Sequence, residues 1–110
     1  MAIDNSRVID FIGTIEQGNE VILTISDHLD WKLKMDHLLK LQSKINTYLD
    51  FIESGEIYQE YSNSIGRNIV IEVVGKYDPP NDKDVNEFYD KVTKFLKGLN
   101  ITLRFRKLQF

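Results

Sequence analysis

The sequence predicts an α+β fold: a two-layer sandwich of order ββαβαβ, in which a four-stranded mixed sheet carries two helices on one face. Three observations predict it. Apolar and polar residues alternate in two stretches before residue 27, and again over residues 68–77 and 101–107, which is the period of a pleated strand. Over residues 33–53 and 82–98 the apolar period lengthens to that of a helix. Between the two helical stretches, and after the second, the strand pattern returns, so each helix becomes a crossover between strands that can run parallel.

The elements follow in order. RVIDFIGTI (residues 7–15) sets Ile9, Phe11 and Ile15 on one parity, against Val8, Asp10, Ile12 and Thr14. EQGNE comes next, where Gly18-Asn19 offers the positive-φ residues of a tight turn. EVILTIS then places Val21, Leu23 and Ile25 opposite Ile22, Thr24 and Ser26, which completes a hairpin. From about Leu33 a long helix begins, with Leu38, Leu41, Ile45, Tyr48, Leu49 and Ile52 at helical spacing and Gly55 in the C-cap region. EIYQEY adds a short helical turn before the polar loop SNSIGRN. NIVIEVVGKY is the third strand, with Ile69, Ile71 and Val73 inward. PPND stops it and starts the second helix, capped by Asn81 or Asp82. Val85, Phe88, Tyr89, Val92, Phe95, Leu96 and Leu99 form that helix's apolar stripe, and Gly98 ends it. ITLRFRK closes the sheet, Ile101, Leu103 and Phe105 alternating with Thr102, Arg104 and Arg106. The strand order is 1-2-3-4 or 2-1-3-4.

Charge placement bears on how the helices lie. The first is basic early (Lys32, Lys34, Lys40, Lys44) and acidic late (Asp50, Glu53, Glu56), against its own macrodipole. The second runs from acidic (Asp82, Asp84, Glu87) to basic (Lys91, Lys94, Lys97). Side by side and parallel, each end meets the opposite sign.

The 110 residues fit a single domain over positions 1–110, and 42% hydrophobic with 28% charged residues is an ordinary globular composition. No apolar run approaches a membrane span and the N-terminus lacks a secretory pattern, so a cytoplasmic location and no membrane partner are expected. Cysteine is absent, which removes disulfides, thiolate metal sites and cysteine nucleophiles. The net charge of −3 is unevenly spread: six acids stand against Arg7 in residues 1–30, and eight bases against five acids in residues 76–110. Arg104, Arg106 and Lys107 with Phe105 and Phe110 resemble a strip for RNA, but the domain is acidic and Phe105 is on the inward parity, so a nucleic-acid partner is disfavoured. There is no glycine-rich phosphate loop, and no cofactor is expected.

SDHLDW (residues 26–31) concentrates reactive side chains. Ser26, Asp27 and His28 are consecutive at a strand end, and a relay from hydroxyl to imidazole to carboxylate needs members from separate elements. A metal site would draw on His28, His37, Asp27, Asp30 and Asp36, which are N/O ligands suited to zinc or manganese. Against it, no H-E-x-x-H spacing exists, and Lys40 and Lys44 flank His37. Aspartates at a strand–helix junction more often accept from free turn amides, with Trp31 closing the core's end. Asp10 and Glu72 would make an acid–base pair if their strands met, though a cross-strand ion pair of Glu72 with Arg104 is the commoner arrangement.

If the helices cover the odd-numbered parity, the other face carries Val8, Ile12, Ile22, Val70 and Val74, mixed with Asp10, Thr24, Glu72, Thr102, Arg104 and Arg106. An apolar centre with a charged rim is how many protein interfaces are built, although Val, Ile and Thr also simply suit exposed strands. The expected partner surface is therefore this open face (Val8, Ile12, Ile22, Val70, Val74, Arg104, Arg106), used by a protein partner or by self-association. Leu108 and Phe110 fall in the outer register, so a bulge or a folded-over terminus is expected near the end.

VIDFIGT, VILTISDHLDW, HLLKLQSKINTYLDFIESGEIYQEY and IVIEVVGKY together resemble a bacterial domain family catalogued as of unknown function. The resemblance spans nearly the whole chain and implies a small stand-alone protein, with HL…W and HLLKLQ as part of the family pattern. It brings no activity and no catalytic residues. The expected role is a non-catalytic protein-binding module that is dimeric, with an immunity or antitoxin role as an analogy. The alternative is a small metal-assisted or acid–base enzyme built on the Asp27, His28, Asp30, Asp36 and His37 cluster.

Overall fold

The computed structural model describes residues 3–15 and 18–108. Its elements are β1 (Phe11–Ile15), β2 (Glu20–Asp27), α1 (Lys34–Glu53), α2 (Glu56–Glu60), a 3-10 turn (Ser62–Ser64), β3 (Asn68–Gly75), α3 (Lys83–Gly98) and β4 (Ile101–Lys107). The four strands form one mixed sheet in the order β1-β2-β3-β4, of the two orders the sequence left open. β1 is antiparallel to β2, whereas β2, β3 and β4 are mutually parallel.

Both long helices cover one face of this sheet. Val21, Leu23, Ile25, Ile71, Val73 and Ile101 share a core with Leu41, Ile45, Tyr48, Leu49 and Ile52 of α1 and Leu96 of α3. Phe88, Tyr89 and Val92 of the stripe read from α3 pack against the same core, whereas Phe95 at its other edge stays 60% exposed and Leu99 is exposed as well. Asp82 is the α3 N-cap, its Oδ1 accepting from the amides of Asp84 at 2.9 Å and Val85 at 3.2 Å. Lys34, in the first turn of α1, lies 3.1 Å from Asp82 and 2.9 Å from Asp84. Start lies beside start, so the helices are parallel. The pairing holds the Asp82 carboxyl below the usual carboxylate range and raises the Lys34 ammonium. At the far end the expected match does not form: among the described residues Asp50 and Glu53 make no ion pair with Lys91, Lys94 or Lys97.

The register of the hairpin overturns one expectation. Phe11 pairs with Thr24, Ile12 with Leu23 and Gly13 with Ile22. Four residues separate Ile15 from Glu20, so even-numbered residues of β1 share a face with odd-numbered residues of β2. Ile12 therefore packs into the core on the helix side, and Phe11 stands on the open face, 65% exposed. The extended strand over residues 7–15 is also shorter than its pattern. Val8 and Asp10 belong to an arm, residues 3–10, that runs against α1, so Val8 leaves the open face as well.

Local details partly follow the sequence reading and partly depart from it. Asn19 takes φ 50° at the hairpin turn, as the Gly18-Asn19 signal implied. Gly98 ends α3 as read, and Asn100 at φ 63° supplies the left-handed step after it. The backbone amide of Leu108 donates to the Gly75 carbonyl at 2.8 Å, extending the β4 ladder without a bulge there. Phe110 lies outside the described residues. Gly55 does fulfil its capping role, at φ 81°. Among the described residues no helix is long and apolar enough to cross a membrane.

Candidate functional site

The strand–helix junction is a structural joint. Asp27 ends β2 and is 5% exposed; His37, in the first turn of α1, is 1% exposed. The imidazole Nε2 meets Asp27 Oδ2 at 2.5 Å, and Nδ1 lies 3.0 Å from the Asp30 carbonyl. Both ring nitrogens are thus engaged by oxygen atoms of the fold itself, which leaves neither turned outward toward a metal. Trp31 stacks on the ring with centroids 3.7 Å apart. Asp27 Oδ1 accepts from the Leu29 amide at 3.1 Å, and Asp30 Oδ1 from the Lys32 amide at 3.1 Å. The aspartates thus serve turn amides, as expected, but α1 itself starts at Leu33 without a side-chain cap.

The other candidate ligands lie elsewhere. His28 Nε2 stands 3.5 Å from Asp4 Oδ2, and Asp36 pairs with Lys40 at 3.2 Å one helical turn on. The five metal candidates therefore divide into the buried pair of Asp27 and His37, the turn residue Asp30, a half-exposed His28 and the surface salt bridge of Asp36. Among the described residues no three of His, Asp or Glu are placed to hold a metal ion. Asp10 and Glu72 do not meet either, for Asp10 faces α1 and Glu72 pairs with Arg104 at 3.8 Å and Arg106 at 3.2 Å. The basic strip is likewise occupied: Lys107 lies 3.4 Å from Asp78.

A second buried charge was missed by the sequence reading. Lys44 is fully buried, and its Nζ has three partners for its three protons: the carbonyls of Asn5 at 2.7 Å and Val8 at 2.5 Å, and Asp10 Oδ1 at 2.7 Å. Asp10 Oδ2 also accepts from the Ser26 amide at 3.0 Å. Next to it, the Tyr48 hydroxyl donates to the Thr24 carbonyl and accepts from the Asp10 amide at 2.9 Å. Burial pushes the Tyr48 phenol well above its ordinary range. The signal was present in the pattern. Lys44 falls between Leu41 and Tyr48 on the buried stripe of α1, and a lysine there has to find a carboxylate.

The open face is partly roofed by its own charges. Arg104 on β4 reaches Glu20 on β2 at 2.9 Å, a span that crosses β3 at Val70, whose neighbours in register are Ile22 and Thr102. This is why Val70 is fully buried on a face without helices, and Val74 beside Arg106 is nearly so. What remains accessible is a shallow depression lined by Phe11, Gly13, Ile22, Thr24, Glu72 and Arg106, among others. Of the expected contact residues, the structure brings together Ile22, Arg104 and Arg106 here, buries Val70 and Val74 beneath them, and moves Ile12 and Val8 away. Phe11 is the exposed aromatic that the pattern hid, because residue parity does not carry across a hairpin connector of four residues.

A family model described as "Family of unknown function (DUF6572)" matches residues 1–109. No curated protein and no solved structure matches the chain.

Proposed function

For a chain that belongs to this family of unknown function, we propose the role of a non-catalytic protein-binding module that self-associates through its helix-free sheet face. The observation that carries the reading is Phe11, a large aromatic standing 65% exposed beside half-buried Ile22. Aromatic side chains are enriched at the centres of protein contacts, and polar groups at their rims. Here Glu20, Glu72, Arg104 and Arg106 make that rim. Both signs are present on one patch, so a two-fold copy of the face offers each arginine a carboxylate. The buried acids and bases at the junction are consumed by hydrogen bonds within the fold, which favours binding over chemistry.

Sedimentation equilibrium tests it with the wild type, Phe11→Asp and Ile22→Asp. The expected result is a concentration-dependent mass above the 12.9 kDa of one chain for the wild type, and single-chain mass for Phe11→Asp. Phe11 is exposed, so that variant keeps its fold even if Ile22→Asp does not. A wild type that stays at single-chain mass at every concentration ends the proposal.

A further inference from the structure

β1 is one of the two edges of the sheet, and the space beside it is shaped. A groove of about 910 Å³ runs along residues 7–12 and is walled by Thr47, Asp50 and Phe51 of α1 and by Glu56 and Glu60 of α2. Its floor is apolar, formed by Ile9, Ile12 and Phe51. A strand edge presents unpaired amides and carbonyls at alternate residues, and proteins commonly cover or charge such edges to prevent pairing. Here no described element lies on the outer side of β1.

The charge of the wall identifies what fits. Asp50, Glu56 and Glu60 make no ion pair among the described residues; Asp30, Glu53, Glu87 and Asp90 make none either, but only the first three line this one groove. The last turn of α1 has no basic residue, so the negative end of its dipole adds to these carboxylates. The basic end of α3, which could have answered them, does not reach. Among the described residues Arg7 is the one base that lines the groove, against four carboxylates. We infer that this edge receives an extended, cationic segment of another protein, added as a fifth strand beside β1. Alternate side chains of such a strand point to opposite faces. One set enters the groove, with aliphatic groups on Ile12 and Phe51 and lysine or arginine stems reaching Asp50, Glu56 and Glu60. The other set lies against Phe11. This goes beyond self-association, since it uses the edge and the helix side and leaves Ile22 untouched.

The test is an NMR titration of the full chain with a short peptide alternating lysine and valine, and with its glutamate–valine counterpart. The expected result is saturable binding of the cationic peptide only, with new hydrogen-exchange protection at amides of residues 11–15. In Asp50→Asn/Glu56→Gln/Glu60→Gln, whose changes are all at the surface, that affinity falls about tenfold, as three exposed charge pairs imply. Asp90→Asn, on α3, leaves it unchanged. Equal binding of both peptides, an unaffected triple variant, or protection confined to other strands would overturn the inference. So would edge protection that grows with protein concentration in the absence of peptide, which would assign the edge to a second copy.

Discussion

Asp27 and His37 illustrate how little a side chain's reputation says about its task. Both are removed from water, they meet at 2.5 Å, and Trp31 closes over the ring. A buried pair of this kind contributes little relative to an apolar isostere, but removing one member strands the other. Asp27→Asn therefore lowers stability by about 3–5 kcal/mol, the usual cost of breaking a buried pair, measured by urea unfolding. A loss within that of an ordinary surface substitution would show that the imidazole has another counter-charge. The residues of this joint were legible and their meeting was not. Asp27 and His37 sit on different elements, and only the path of the turn between them decides whether His28 or His37 faces the carboxylate.

At the scale of elements, the first helix does two jobs with one stripe. Leu41, Ile45 and Ile52 fill the core, while Lys44, Thr47 and Tyr48 hold the arm of residues 3–10 by its carbonyls and by Asp10. Lys44→Met removes three donors from three acceptors. The carbonyls of Asn5 and Val8 regain water only if the arm lifts, so the arm gives way before the sheet does. The expected outcome is fast amide exchange over residues 4–10 with protection retained in β2, β3 and β4, and a stability loss of about 1–3 kcal/mol. Uniformly faster exchange across the sheet would contradict this order of events. Both long helices and the last strand were readable because their periods are long and uninterrupted; β4 spans the ITLRFRK stretch as read, Ile101–Lys107. The arm was misread as strand because RVID alternates too, and alternation says nothing about whether a neighbouring strand is there to pair with.

For the whole molecule, the two parallel helices bring their starts together over Lys34, Asp82 and Asp84 and leave the opposite end of α1 uncompensated. Stability should fall on acidification as the Asp82 carboxyl, held low by Lys34, takes up a proton. The alkaline side has a clearer signature. Tyr48 and Tyr89 are both raised above their ordinary value of 10.0 by burial, Tyr89 further by the negative charge of Asp27. The folded state then holds phenolic protons that the unfolded chain releases, so stability is complete below pH 10 and declines as pH rises beyond it. The Tyr89 hydroxyl is buried without a hydrogen-bond partner. Thermal melts of Tyr89→Phe should match or exceed the wild type near neutrality and lose less above pH 10; a variant that tracks the wild type there would assign the alkaline loss to Tyr48 alone. One last consequence belongs to the pairing of β1 with β2. A slip of that pairing by a single residue would turn every β1 side chain over, sheltering the phenylalanine and setting the isoleucine in water, while a slip of two would leave each on its present side.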